Sequence, residues 1–452
     1  MPGYRSDMLC GISAAMVPCA LPSCSIVEGS GGYLRLSCFR FAFNPIWLQA
    51  AIALLLLGGP ASAQRYDLLI KGGHVVDPGN EIDSVMDVAV SGDKIARVAE
   101  DIPSDQAKKT IDATGLYVTP GLIDLHAHVF GYSGWLWPDD TQLLTGTTTV
   151  VDCGGAGWRT FETFKETVVD RSKTRVLSFI NIVGAGMVGT ESDIDDMDHE
   201  KLAAKIKQYP GLIVGIKCAH YGRKDYYNLE QAVKAGNLAG VPMIVDNSIL
   251  TNNDRDTETK LLKYFRPGDI HTHMFNDRHL EIVNRFTGKV QPYIYEARKK
   301  GRLFDVGHGS GSFVWPAAHK AMEQKFYPDT ISTDLHNSSI FTTKADMPNV
   351  MSKMLALGMP LQEVIFRSTA RPAQVINKYP EIGTIGEGKE ADIVLLELEQ
   401  GIFGYGDSWK KKKLAEQRLR AVLTVRAGEL VFDEKGLGFP EWDTAGEYQK
   451  IP

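Results

Sequence analysis

The sequence predicts an α/β protein, in which a (β/α)8 barrel of the TIM type carries a small β-sandwich built from both the N-terminal and the C-terminal segments. Two patterns predict this fold class. Apolar strand candidates alternate with helical patterns through the middle of the chain, and eight such strands within about 250 residues match the size of this barrel. Both flanks show short alternating strands separated by glycine turns instead. An open doubly wound sheet is the alternative arrangement of the same elements.

The first 63 residues differ from the rest of the 452-residue chain, because they hold four of its six cysteines and none of its 11 histidines. An apolar, uncharged run at 44–57 follows Arg40 and ends before the small residues Ala61-Ser62-Ala63. This order is typical of a secretory signal peptide. A membrane anchor is the alternative, although spanning a bilayer takes about 20 apolar residues. We predict cleavage after Ala63 and an exported protein, periplasmic or secreted, without a stable membrane anchor.

Three segments follow the leader. Residues 64–118 are predicted to form the first part of the β-sandwich, 119–378 the barrel, and 379–452 the second part of the β-sandwich and a C-terminal tail. Strand candidates of the barrel lie near 120–125, 147–152, 175–182, 211–218, 241–246, 269–274, 302–307 and 330–335. Helical patterns include 159–170, 228–239 and 346–357.

Composition excludes several classes of protein. The two cysteines beyond the leader can form at most one bridge, so the chain is not a disulfide scaffold. A formal net charge of −6 argues against a nucleic-acid binder, because surplus carboxylates repel the phosphate backbone. With 44% hydrophobic residues the chain can bury a large core. We expect no nucleic-acid partner; a small-molecule substrate and a homo-oligomer are both compatible with this composition.

Candidate metal ligands gather at the C-terminal ends of the predicted strands, where a barrel builds its active site. His126 and His128 end the first strand, and residues two apart share one face of a strand. Two imidazoles side by side suit a divalent metal such as zinc. Two ordinary polar residues in a loop are the alternative, because His-x-His alone is a weak motif.

Lys217 ends the fourth strand on the same face as Ile213 and Gly215, so it should be deeply placed. A buried ammonium is costly unless it is paired or neutralised. Two roles stay open: a lysine that reaches the barrel mouth for a salt bridge, or a lysine converted by CO2 to a carbamate that can bridge two metals.

Strands six and eight supply two more candidates. His273 lies nearer the barrel mouth than His271, which we expect to be a supporting or core histidine. Asp334 ends strand eight, where a carboxylate can bind metal and accept a proton from water. Capping of the following helix is its alternative role.

Three further positions stand out. His308 lies between two glycines after strand seven, where backbone can approach a ligand closely, and Asp246 ends strand five. The segment 184–189 fits the nucleotide-binding pattern G-x-G-x-x-G. That pattern requires a helix, and the acidic stretch 190–196 lacks a helical apolar stripe, so we expect a solvated loop there.

Taken together, these residues resemble the amidohydrolase superfamily of metal-dependent hydrolases. The segments that carry the resemblance are YDLLIKGGHVVDPGN, YVTPGLIDLHAHVF and GTIGEGKEADIVLLEL. Four others are similar to its amidohydrolase/deacetylase branch, a relative of the dihydroorotases: RPGDIHTHMFN, FDVGHGSGSF, ISTDLHNSS and MSKMLALGM.

The resemblance implies two divalent metal ions, with zinc expected. Its implied ligands are His126, His128 and Asp334 for one metal, a carbamylated Lys217 as the bridge, and His273 with a strand-five residue for the second metal. That strand-five residue is histidine in the family, whereas this chain has Asp246. Asp246 is an acceptable zinc ligand. Alternatively His220 or His271 substitutes for it, or the second metal is weak or absent.

The implied activity is hydrolysis of an amide or ester bond of a small acylated acid by metal-activated hydroxide. Asp334 is the implied general base, and His308 and His220 are the implied substrate contacts. Dihydroorotases carry arginine two residues after the His-x-His pair, whereas this chain has Phe130, which argues against a role in pyrimidine synthesis. A cyclic amidohydrolase of the hydantoinase or dihydroorotase kind and a non-catalytic scaffold are the alternatives.

Overall fold

The computed structural model describes residues 64–246, 261–277 and 282–448. The predicted leader 1–63 and its cleavage site after Ala63 lie outside these ranges. Within them, no helix has both the length and the apolar character needed to cross a membrane.

The strands fall into three groups along the chain. Five from the N-terminal part are β1 (Tyr66–Asp77), β2 (Ile82–Ser91), β3 (Lys94–Ala99), β4 (Ala107–Asp112) and β5 (Tyr117–Pro120). Seven from the middle are β6 (Leu122–Ala127), β7 (Thr147–Gly157), β8 (Arg175–Asn181), β9 (Ile213–Cys218), β10 (Met243–Val245), β11 (Ile270–His271) and β12 (Leu303–Phe304). Three near the C-terminus are β13 (Ile393–Gly406), β14 (Lys412–Arg426) and β15 (Glu429–Asp433).

The helices lie between and after the middle strands. They are α1 (Pro138–Thr141), α2 (Phe161–Thr167), α3 (His199–Gln208), α4 (Tyr227–Ala239), α5 (Pro292–Lys299), α6 (Trp315–Glu323), α7 (Asn337–Thr343), α8 (Met347–Ala356), α9 (Leu361–Phe366) and α10 (Ala370–Val375). Helices α2, α4 and α8 occupy the three segments in which the sequence shows a helical pattern. No α-helix follows the 184–189 segment before His199, as expected for a loop rather than a nucleotide-binding turn.

Strands from both ends of the chain pair in one sheet, in the order β15-β14-β13-β5-β1-β2-β3, with β4 beside β1. The two ends meet where β5 runs antiparallel to β13, with Val118 opposite Leu395. Alternate side chains of these strands, such as Ile70 and Ile393, are buried in one cluster. Apolar alternation thus places one face of this sheet against a core.

The seven middle strands form a second, parallel sheet in chain order from β6 to β12. Its edges are connected through residues 330–335, because Thr330 bridges Asp305 beyond β12 and Leu335 bridges Ala127 of β6. The sheet is therefore curled. The last predicted strand, 330–335, lies in this gap but forms only isolated bridges, because Asp334 has a left-handed backbone (φ 49°) that interrupts an extended ladder.

Apolar side chains of the curled sheet form a buried cluster of their own. It contains Leu125, Val151, Phe179, Ile244 and Ile270, contributed by β6, β7, β8, β10 and β11. The polar candidates come at or just after the C-terminal ends of these strands. Since the strands are parallel, their C-terminal ends lie at one edge of the sheet, and the polar side chains are brought together there.

Candidate metal centre

A cavity of about 120 Å³ lies at the C-terminal ends of the curled sheet. Most of the predicted ligands reach it. Its walls are formed by His128, Tyr132, Met187, Lys217, His220, Asp246, His273, Ser310, Gly311, Ser312, Asp334 and His336. His126 is buried directly beneath the cavity, and its ring centre lies 5.1 Å from that of His273.

His126, His128 and Asp334 form a compact donor group, because their ligand atoms all lie within 4.8 Å of one another. The Nε2 atoms of His128 and His126 lie 3.0 and 3.6 Å from Oδ1 of Asp334. Two imidazole nitrogens and one carboxylate oxygen are a donor set that suits zinc. The residues present therefore fit a divalent metal at this position.

His126 is oriented by hydrogen bonds behind it. The hydroxyl of Thr272 donates to Asp305 (2.7 Å), so it accepts from Nδ1–H of His126 (2.9 Å). This arrangement leaves the Nε2 lone pair directed at Asp334, as is usual behind a metal-binding histidine. Burial, together with the charge of Lys217, lowers the pKa of His126 to about 3. The imidazole is thus neutral, which is the form that binds metal.

A second donor group surrounds Asp246. His273 donates through Nδ1–H to the carbonyl of Gly307 (2.5 Å), which directs its Nε2 to within 3.2 Å of Oδ2 of Asp246. Nε2 of His220 lies 3.6 Å from the same oxygen. Burial alone would raise the pKa of Asp246, but neighbouring positive charge, chiefly at His273, holds it well below its usual range. Asp246 is therefore an anionic donor flanked by two imidazoles.

Lys217 lies beside the first donor group, with Nζ 3.2 Å from Nε2 of His126. Its side chain is buried and passes Gly154, where a β-carbon would lie 2.6 Å from Cγ of the lysine. Among the described residues, Nζ forms no ion pair with a carboxylate within 4.0 Å, which weakens the salt-bridge alternative. Glycine at 154 is therefore what gives the lysine access to the cavity.

Several known proteins are similar to this chain. Family models described as "Amidohydrolase family" match residues 109–175 and 311–431. A deacetylase from Enterococcus faecalis is 29% identical, over 81% of this chain and 99% of its own length. The crystal structure of an adenine deaminase superposes with a TM-score of 0.74 at 28% identity, and that of a dihydroorotase with 0.71 at 25%; each comparison covers 81% of this chain and 99% of the other.

These matches support the amidohydrolase superfamily for this chain. The resemblance drawn from the sequence is thereby confirmed. These structural neighbours are TIM-barrel proteins, and this chain has a curled parallel sheet. Family membership and the deacetylase relative support a hydrolase that acts on carbon–nitrogen bonds.

His308 does not line the cavity. Its ring is fully buried and stacks on Phe313, with 4.6 Å between ring centres. Nδ1–H donates to the carbonyl of Gly309 (2.8 Å), and Nε2 accepts from Nζ of Lys353 (2.7 Å). Both nitrogens are thus committed within the protein, so His308 supports the loop after β12 rather than contacting the cavity.

His271 is likewise outside the cavity. Its ring lies between those of Phe265 and Phe304, and neither nitrogen has a hydrogen-bond partner among the described residues. Burial lowers its pKa to about 4, so the ring is neutral. His271 is a core histidine, as expected, and is not placed to substitute for a strand-five ligand.

Glu191, which contacts the cavity residue His220, was not predicted from the sequence as part of the site. It belongs to the acidic stretch 190–196 that we expected to be solvated, yet it is buried. Its carboxylate accepts from Nδ2 of Asn181 (2.7 Å) and from Nδ1 of His220 (2.5 Å). The expectation was wrong for Glu191, because a charged side chain in a loop can be buried by partners distant in sequence. No local pattern in the sequence signals such a contact.

Two aromatic residues at the cavity were also missed. The ring of Tyr132 stacks on His128 at 4.2 Å and meets His336 edge-on at 5.2 Å. Their nearness to the His-x-His pair and to Asp334 in sequence is the signal that could have suggested them. These rings restrict the space beside the first donor group.

Left-handed backbone recurs at the donor residues. His220, His273 and Asp334 have φ of 45°, 61° and 49°. Such values are uncommon outside glycine and are maintained only where the surroundings enforce them. All three side chains turn into the same cavity, so the local strain accompanies the convergence of donors.

Proposed function

We propose that this amidohydrolase is a zinc-dependent enzyme that hydrolyses the amide or ester bond of a small acylated acid. The observation that carries the proposal is the compact group of His126, His128 and Asp334, of which His128 and Asp334 line a small cavity. A cavity of about 120 Å³ suits a small substrate better than a peptide. The deacetylase relative supports removal of an acyl group.

Two zinc ions would be held, one by His126, His128 and Asp334 and the other by His273 and Asp246. We propose that Lys217 would bridge them as a carbamate, since its nitrogen lies beside the first donor group and its buried side chain lines the cavity together with His273 and Asp246. When bound, the metals lower the pKa of a water molecule and polarise the substrate carbonyl.

The protein's own groups then have separate tasks. Asp334 would accept a proton from the attacking water on its carboxylate and pass it to the leaving nitrogen or oxygen. Thr272 and Gly307 keep the two histidines His126 and His273 in the tautomer that presents Nε2. Of the two histidines predicted to contact substrate, His220 lines the cavity and His308 does not. Tyr132 and His336 offer alternative contacts there.

Hydrolysis of a cyclic amide is the second candidate, because the dihydroorotase structure is similar over 81% of this chain. The residue two positions after the His-x-His pair argues against a dihydroorotase, because it is phenylalanine rather than arginine. Phe130 there packs on Phe164, with 5.1 Å between ring centres, so it offers no charge to a substrate carboxylate. A non-catalytic scaffold is disfavoured by the retained donors of the first group.

The activity is tested by a screen of four substrate classes. These are both enantiomers of N-acetyl amino acids and of acetylated hydroxy acids, together with hydantoins and dihydropyrimidines. We expect turnover of an N-acetylated or O-acetylated acid that a chelator abolishes and added zinc restores. Turnover of the cyclic amides alone would favour the second candidate. Absence of turnover in a metal-loaded protein across all four classes would favour the scaffold.

Two further expectations belong to this proposal. We propose that the curled sheet closes through residues 330–335 as a (β/α)8 barrel, and that the flanking sheet is part of a β-sandwich. We also propose that residues 1–63 direct export to the periplasm or the exterior, with cleavage after Ala63. Intact mass of the exported protein tests the second point, because an N-terminus far from Gln64 would contradict it.

A further inference from the structure

We propose that His220, held by Glu191, is a metal ligand that replaces the histidine missing from strand five and completes the second zinc site with Asp246 and His273. The inference rests on the two-metal centre of the proposed function. It assigns to His220 a role in binding metal rather than substrate, and it makes the loop after β8 part of the metal centre.

The first observation in support is the position of His220 beside Asp246. Its Nε2 and that of His273 approach the same oxygen, Oδ2 of Asp246, at 3.6 and 3.2 Å. An aspartate side chain is shorter than a histidine side chain, so Asp246 extends less far from the end of β10 than a histidine would. His220 enters from the neighbouring strand, after β9, and brings an imidazole nitrogen to this place. One carboxylate oxygen and two imidazole nitrogens are again a zinc-type donor set.

The second step is the orientation of the ring. Nδ1 of His220 donates to Glu191 (2.5 Å), whose other oxygen is held by Nδ2 of Asn181 (2.7 Å). Asn181 in turn donates to the carbonyl of Gly154 (3.1 Å) and is anchored at the end of β8. A carboxylate behind a histidine fixes the tautomer and the direction of Nε2, and this is the usual support of a zinc-binding imidazole.

The third observation is the backbone conformation of His220. His220 adopts φ 45°, a left-handed conformation that is uncommon outside glycine, although histidine, like asparagine and aspartate, adopts it more often than other residues do. Such a backbone persists only where the surroundings enforce it, and here it turns the ring of His220 toward Asp246. The burial of Glu191 is a further sign that the imidazole of His220 belongs at this place. A buried carboxylate is costly without a partner, and His220 is that partner.

The test measures metal content and affinity in the purified protein loaded with zinc or cobalt. His220→Asn preserves the left-handed turn but removes the imidazole, and Glu191→Gln removes only the charge behind it. Wild type should bind two equivalents per chain. H220N should retain one and lose the other, and E191Q should bind its second metal about 10–100-fold more weakly. The cobalt absorption spectrum of H220N should lack the contribution of the second site.

His74→Ala is the matched control, because His74 forms a similar pair with Asp83 (2.7 Å) on the flanking sheet. It should retain both metals and a circular dichroism spectrum like that of wild type. Two tightly bound metals in H220N would overturn the assignment of His220 while leaving the two-metal centre intact. Fewer than two metals in wild type would overturn the two-metal centre itself, and with it this inference. If H220N unfolds, E191Q decides, and unchanged affinity in E191Q would contradict the inference.

Discussion

Gly309 lies so close to the carboxylate of Asp334 that a β-carbon at position 309 would overlap Oδ2. The same turn approaches the other donors, since a β-carbon on Gly307 would lie 2.8 Å from Nδ1 of His273. Both glycines have left-handed backbones, with φ of 45° at Gly307 and 55° at Gly309. The turn 307–309 is therefore built against both donor groups, and glycine is required at its two ends.

Gly309→Ala should impair catalysis more than folding. The left-handed backbone costs alanine roughly 1–2 kcal/mol, and the clash displaces Asp334 in addition. We expect kcat to fall at least about tenfold, which corresponds to ~1.4 kcal/mol in the barrier. Gly388→Ala is the control, because Gly388 has φ 78° and open space around its α-carbon. Equal kcat in the two variants would show that contact with Asp334 is unimportant.

Asp334→Asn should leave the protein folded and able to bind metal while removing turnover. Asparagine retains an oxygen donor but cannot accept the proton, and loss of a general base costs about 10²–10⁴-fold in rate. Kinetics on the best substrate of the screen, with metal content measured on the same sample, provide the check. Activity that survives within a few-fold would mean that another group is the base.

We expect Nζ of Lys217 to be converted to a carbamate by CO2. Protein equilibrated with ¹³C-bicarbonate should show one carbamate signal by NMR, and Lys217→Arg should lack it because a guanidinium does not form the carbamate. Lys353 is an internal comparison, since it is equally buried but donates to His308 and to the carbonyl of Gly406 (2.8 Å). A carbamate signal that persists in K217R, or its absence from metal-loaded wild type, would exclude the bridge.

The four donors His126, His128, His273 and Asp334 could be predicted from sequence for a simple reason. Each lies at the C-terminal end of a strand candidate, and the parallel strands bring those ends together. Lys217 followed from alternation within an apolar strand. These inferences depend only on local periodicity and on the direction of the strands, which the sequence pattern contains.

His308 and Glu191 could not be placed in this way. The left-handed glycines beside His308 turn its ring toward Lys353, and a sequence pattern does not reveal the sign of φ. Burial of Glu191 depends on Asn181, the last residue of β8, and on His220, which follows β9. Contacts between distant segments and the turns that create them are fixed by tertiary packing, so periodicity does not predict them.

The flanking sheet offers a pH-dependent test of stability. Nζ of Lys71 forms salt bridges with the buried carboxylate of Asp87 (2.8 Å) and the exposed carboxylate of Asp101 (2.7 Å). Burial alone would raise the pKa of Asp87, but Lys71 and the N–H groups of Gly72 and Ile102 lower it below its usual value. A lowered folded pKa means that the ionised form stabilises the fold above the unfolded pKa of about 3.9, and that this stability is lost as pH falls.

Asp87→Asn should therefore lower the free energy of unfolding by about 1.5–3 kcal/mol at pH 7, because it weakens hydrogen bonds to a charged group. The deficit relative to wild type should shrink as pH falls through about 4. Urea unfolding at several pH values measures it. Asp101→Asn, on the exposed side of the same lysine, should change stability little. A deficit of D87N that is independent of pH would contradict the assigned role of its charge.

Metal content of the wild-type chain is the most direct test of the two-metal hydrolase. After purification with zinc and removal of loosely bound ions, elemental analysis should find two equivalents per chain. Removing them with a chelator should abolish hydrolysis of the acylated acid, and restoring them should recover it. Less than one equivalent in well-folded protein would contradict a metal-dependent hydrolase and favour a scaffold.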